Sequence, residues 1–122
     1  MTNYAIAAER YFAAWNADGA EAIAKAVSDA FTEDATYTDP LADVARHEGI
    51  VAAISGAQAQ FPGFEFVMKG SVDGNHHIAR FSWDLVSKAD GSSPAAGSDV
   101  ITIAEDGRIS SVSGFLDRLP GA

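Results

Sequence analysis

At Pro62-Gly63 the spacing of apolar residues changes from helical to strand-like, and this change limits what the chain can fold into. Upstream of it, Tyr4, Ala8, Tyr11, Phe12 and Trp15 recur at intervals that put side chains on one face of a helix. An amphipathic first helix is predicted, stopped by Asn16-Ala17-Asp18-Gly19. Asp18, with Glu21 three residues on, forms a capping-box-like start for a second helix that buries Ile23, Val27 and Phe31. Ala35-Thr36-Tyr37-Thr38 then reads as a strand, which Asp39-Pro40 ends because proline extends the residue before it and donates no ladder bond. A polar loop through Asp43 and Arg46 leads to a third helix carrying Ile50, Ile54, Ala57 and Phe61.

Downstream, Phe64, Phe66 and Met68 alternate against Glu65, Val67 and Lys69, and Asp73-Gly74-Asn75 is the expected hairpin turn. In the next strand Ala79, Phe81, Trp83 and Leu85 share one face, while Ile78, Arg80, Ser82 and Asp84 share the other. A loop over residues 89–94 precedes a strand from about Gly97 to Ala104. The turn Glu105-Asp106-Gly107-Arg108 then leads into a last strand ending near Asp117. Helices first and hairpin-linked strands afterwards favour an α+β fold over a parallel βαβ arrangement. At 122 residues, with no repeat or linker, residues 1–122 are expected to form a single domain.

Eight basic against 17 acidic side chains give a net charge of −9, which repels phosphates and anionic lipid, so neither nucleic acid nor a membrane surface is an expected partner. No apolar run approaches the roughly 20 residues of a bilayer span, and Met1-Thr2-Asn3-Tyr4 opens no signal segment. A cytoplasmic protein is expected. The absence of cysteine removes disulfides and thiolate chemistry. His76 and His77 are adjacent, which on a strand sends them to opposite faces, and His47 has no partner at ligand spacing. Neither a metal site nor a cofactor fingerprint is read.

In order along the chain, Tyr37-Thr38-Asp39-Pro40, Phe61-Pro62-Gly63, Gly97-Ser98-Asp99-Val100 and Asp106-Gly107-Arg108-Ile109 running into Gly114-Phe115-Leu116-Asp117 carry a family resemblance. Over nearly its whole length the chain resembles the SnoaL-like polyketide cyclase and ketosteroid isomerase group of the nuclear transport factor two-like superfamily. The resemblance implies a cone-shaped, curved, mixed or antiparallel sheet wrapped by about three N-terminal helices around an apolar pocket. It also implies a homodimer. Isomerases, cyclases, dehydratases, hydrolases and non-enzymatic binders all occur on this scaffold, so the fold alone does not select an activity.

Two aspartates are the candidate catalytic groups. Asp39 stands at a strand end near apolar helix faces, where desolvation can tune a general base; the competing reading is a turn cap. Asp99 shares a strand face with Ile101 and Ile103, and a carboxyl there needs a proton, water or a partner such as Arg80. By resemblance these match the isomerase's proton-moving aspartate and its protonated, oxyanion-assisting aspartate. The isomerase's oxyanion tyrosine falls near Phe12, with Tyr11 turned about 100° away around the helix. Trp15, through its indole N–H, is the substitute donor or else plain core. Arg80, Asp99 and Asp117 resemble the set of an epoxide hydrolase, with Ser82 where its other aspartate would be.

The expected reaction is cofactor-free proton transfer beside the carbonyl of a small, largely apolar molecule. The expected pocket wall comprises Phe12, Trp15, Phe31, Tyr37, Ile54 and Phe61 from the first half of the chain. Phe66, Phe81, Trp83, Ile101 and Phe115 complete it from the second, with Arg80 and Asp117 as polar contacts. The alternatives are a non-catalytic ligand-binding or interaction module, and an epoxide hydrolase or dehydratase.

Overall fold

A computed structural model describes residues 2–119. The first helix, α1, spans Tyr4–Asn16, with Asn3 Oδ1 capping it through the N–H of Ile6 at 3.0 Å. It buries Ala7, Ala8, Tyr11, Ala14 and Trp15, the face that the spacing predicts. Asn16 then docks the helix end on a strand, donating from Nδ2 to the Phe66 carbonyl at 2.8 Å and accepting from the Phe66 N–H at 2.7 Å.

Helix α2, Ala20–Ala30, starts from Gly19 at φ 93 with no side-chain cap, so the capping box expected of Asp18 and Glu21 does not form. A glycine in the left-handed region makes the turn instead. Phe31 is not on this helix either. It is fully buried as the first residue of strand β1, Phe31–Asp39.

The loop expected after Pro40 contains a short strand, β2, Ala42–Ala45, paired antiparallel with β1. Helix α3, Arg46–Gln60, buries Ile50 and Ile54. Strand β3, Phe64–Asn75, runs through the Asp73-Gly74-Asn75 expected as a turn, and the chain reverses at His76-His77, with His76 at φ 48. The ladder to β4, Ile78–Ser87, is interrupted between Lys69 and Asp73, which lets β3 continue past the point where the periodicity fades. Strands β5, Ala95–Ile103, and β6, Ile109–Arg118, follow as predicted.

The six strands form one sheet in the order β2-β1-β6-β5-β4-β3. Among the described residues only β1 and β6 pair in parallel; the other neighbours are antiparallel. The mixed sheet is not closed, and the helices pack on one face over a core that includes Val27, Phe31, Ile50, Ile54, Ile101, Ile109 and Val112. Burying each such side chain contributes about 1.5–3 kcal/mol. The β1-β6-β5 adjacency has the consequence that matters for function: residues far apart in sequence, Asp39 and Asp99, lie on either side of a single strand.

Candidate active site

Between α1, α3 and the inner face of the sheet lies a cavity of about 340 Å³. Small side chains on α3, Ala52, Ala53, Gly56 and Ala57, leave the space, and aromatic rings enclose it. Of the expected wall, Phe12, Trp15, Tyr37, Phe61, Phe66 and Trp83 line it. Phe31, Ile54, Phe81 and Ile101 do not, because they are fully or almost fully buried in the core behind it. Phe115 faces outward and is 60 % exposed.

Asp39 ends β1 two residues beyond Tyr37, so the two side chains leave the same face of the sheet. The Tyr37 hydroxyl donates to Asp39 Oδ2 at 2.5 Å, and the N–H groups of Leu41 and Ala42 each donate to Oδ1 at 2.8 Å. Asp39 thus caps the turn into β2 and also stands in the cavity wall.

Among the described residues, Asp99 is the one charged side chain that is buried, at 3 % exposure. Its Oδ2 accepts from the Tyr11 hydroxyl at 3.1 Å and from the Trp83 indole Nε1 at 2.9 Å. Arg80, the partner weighed from sequence, lies on the outer face and pairs with Asp73 at 3.2 Å. Burial pushes the Asp99 carboxyl up from 3.8 to about 7, against the pull of the Tyr11 and Trp83 donors, and the charges of Asp39 and Asp117 add to the rise. Burial, then the nearby Asp99 charge, likewise lifts the Tyr11 phenol well above its usual value. Tyr37 is raised by burial and then by its bond to Asp39. Both phenols therefore stay protonated at neutral pH.

Two glycines make this arrangement possible. A Cβ on Gly114 would sit 2.6 Å from Asp99 Oδ1 and 3.2 Å from the Cβ of Asp39, so both aspartates crowd against the bare backbone of β6. A Cβ on Gly97 would strike the Trp83 ring at 2.4 Å. Its absence lets the indole lie across β5, where its N–H reaches Asp99.

Asp99 does not itself line the cavity; it lies behind Tyr11 and Trp83, which do. Tyr11 is the donor that the sequence pattern set aside. One helical turn before Trp15, it shares that residue's face, and this i, i+4 relation was the available signal. Asp117 is on the outer face, where its Oδ2 accepts from Ser98 at 2.6 Å. Arg80, Asp99 and Asp117 are consequently not gathered at one place, and the epoxide-hydrolase arrangement does not form. Among the described residues no cluster of metal-ligating side chains occurs, and no helix is long and apolar enough to cross a membrane. His47 Nε2 bonds the Phe31 carbonyl at 2.9 Å, a structural contact.

The model of the SnoaL-like domain family matches residues 8–112, which includes both aspartates, Tyr11 and most of the cavity wall. The chain belongs to the SnoaL-like family. Among solved SnoaL-like structures, a candidate isomerase from Agrobacterium tumefaciens is 42 % identical, with a TM-score of 0.89 over 96 % of this chain and 99 % of that one. A candidate SnoaL-like polyketide cyclase from Jannaschia matches at 18 % identity and a TM-score of 0.74, over 92 % and 83 % of the two chains. An NTF2-like protein of unknown function from Cytophaga hutchinsonii matches at 15 % identity and a TM-score of 0.68, over 96 % and 92 %. These last two share the fold. Comparison with curated protein sequences gives no match.

Proposed function

We propose that this SnoaL-like protein is a cofactor-free acid–base catalyst that moves a proton beside the carbonyl of a small, largely apolar molecule. The observation that carries the reading is the pairing, in one apolar cavity, of the Asp39 carboxylate with a Tyr11 hydroxyl backed by buried Asp99. Asp39 takes the proton from the carbon next to the carbonyl, the C–H electron pair moves into the C–C bond, and the carbonyl oxygen gains negative charge. With a proton on Asp99, that carboxyl donates to the Tyr11 oxygen, and the Tyr11 O–H is released toward the substrate oxygen. Asp39 then returns its proton to carbon. The 42 % identical Agrobacterium protein, a candidate isomerase, agrees with this reaction class.

A complex with a bound cyclic ketone tests the geometry. The carbonyl oxygen is expected within hydrogen-bond reach of Tyr11, with its neighbouring carbon against Asp39; a ketone bound with its oxygen in solvent would contradict the reading.

One observation favours a second reading, a non-catalytic binder. Both oxygens of Asp39 already accept bonds, so proton abstraction requires Tyr37 to release Oδ2 or to share it. In a binder that need does not arise. We also propose a homodimer that packs through the outer sheet face, a reading supported by Val100 at 39 % and Phe115 at 60 % exposure.

A further inference from the structure

Four donor side chains stand in or close behind the aromatic part of the cavity wall, and three are already committed. Tyr11 and Trp83 donate to Asp99, and Tyr37 donates to Asp39. The fourth is Trp15. Its indole Nε1 is buried and has no acceptor among the described residues, although the side chain lines the cavity and is only 6 % exposed. A buried N–H without a partner is unfavourable, and native proteins rarely leave one without a reason.

The ring is firmly held in that place. Its centroid lies 5.1 Å from Phe66, 5.5 Å from Tyr37 and 6.1 Å from Tyr11. Its own carbonyl is fixed by Gln58 of α3, which donates from Nε2 to Trp15 at 2.9 Å and to the Ala17 carbonyl at 2.8 Å. Rotating the indole to find another acceptor would disturb three aromatic contacts.

We infer that the Trp15 indole N–H is a ligand-binding donor, which accepts into the cavity molecules bearing an oxygen acceptor in preference to hydrocarbons of the same shape. This rests on the reading of the cavity as a site for carbonyl compounds, but not on any turnover there. Trp15 and Tyr11 are one helical turn apart on the same face of α1, with ring centroids 6.1 Å apart. When Asp99 is ionised and holds the Tyr11 hydroxyl, Trp15 is the donor that remains free.

The probes are 1-tetralone and tetralin, which differ by one carbonyl. Calorimetry or fluorescence titration of the native protein is expected to show tetralone binding roughly five- to tenfold more tightly, the factor that about one net hydrogen bond provides. In Trp15→Phe, shown to be folded by circular dichroism and titrated at pH 8.5, where ionised Asp99 holds the Tyr11 hydroxyl, tetralone falls to the level of tetralin while tetralin changes less than twofold. Should that variant fail to fold, indole ¹⁵N–¹H spectra of the native protein decide. Its two tryptophan signals are told apart with Trp83→Phe. Tetralone is expected to move the Trp15 N–H signal downfield, and tetralin is not. Tetralone bound with no dependence on Trp15 and no shift overturns this inference alone, and so does a water that keeps Nε1 occupied in the tetralone complex. Binding of neither probe overturns the carbonyl-ligand reading and this inference with it.

Discussion

The Tyr11 hydroxyl stands 3.1 Å from Asp99 Oδ2, joining the first helix to the fifth strand across 88 positions of sequence. This one bond connects a buried carboxyl to the cavity wall, because Tyr11 lines the cavity and Asp99 does not. It also restrains the acid, since the Tyr11 donor draws the Asp99 carboxyl down while burial drives it up.

Tyr11→Phe removes that donor and leaves the ring in place. The Asp99 midpoint, followed by carboxyl ¹³C chemical shift, is expected to rise above about 7. Losing a donor from a buried carboxylate costs about 1–3 kcal/mol in stability above that midpoint. A midpoint that stays put or falls would mean that Tyr11 is not coupled to Asp99 in solution.

Stability should depend on pH through the same group. Asp99 binds its proton more tightly folded than unfolded, so its contribution is full below the unfolded value of 3.8 and is lost as the pH rises from there through about 7. The span from 3.8 to about 7, at about 1.4 kcal/mol per pKa unit, caps the effect at roughly 4 kcal/mol. Urea unfolding between pH 4.5 and 8.5 is expected to show native stability falling relative to Asp99→Asn, whose amide does not titrate. Parallel curves for the two proteins would refute the assignment.

The helix faces, the strands from β4 onward and the carboxyl on an apolar strand face were legible in the sequence, because periodicity reports local burial directly. Tyr11 was misjudged because angular position on an isolated helix says nothing of how the helix rolls against the sheet. Here Asn16 and Gln58 fix that roll through bonds to β3 and across the α1 C-terminus. Arg80 behaved as its alternation said, facing away from Phe81, and its partner Asp73 was hidden in a segment read as a turn. Which aromatics line the cavity and which fill the core behind it was not legible. Phe81 and Trp83 alternate identically, yet only Trp83 borders the open space, because Gly97 lets its ring extend across β5.

Gly114 gives a steric test. A methyl group there meets Asp99 Oδ1 at 2.6 Å, so Gly114→Ala is expected to lose about 1–3 kcal/mol and to displace the Asp99 titration. Gly56, mid-helix and with nothing within 4 Å of an added Cβ, provides the contrast. Gly56→Ala is expected to gain about 0.5–1 kcal/mol by helix propensity and to narrow the cavity, which it lines. Thermal unfolding of the two variants distinguishes them, and equal effects would remove the special role given to Gly114.

Phe115 tests the assembly. Light scattering of the native protein is expected to give twice the 12.7 kDa chain mass, and Phe115→Asp to give the single-chain mass with its circular dichroism spectrum retained. A native monomer, or a Phe115→Asp dimer, would remove the outer sheet face as the contact.

Proton transfer by Asp39 is measured most directly by exchange of the carbon-bound hydrogens beside the 1-tetralone carbonyl with deuterium from solvent. The native protein is expected to accelerate exchange over buffer, with a rate that declines as pH rises through about 7 and Asp99 ionises. Asp39→Asn is expected to lower the rate at least about a hundredfold while tetralone still binds. Binding without exchange in the native protein, or exchange that survives Asp39→Asn, would contradict it.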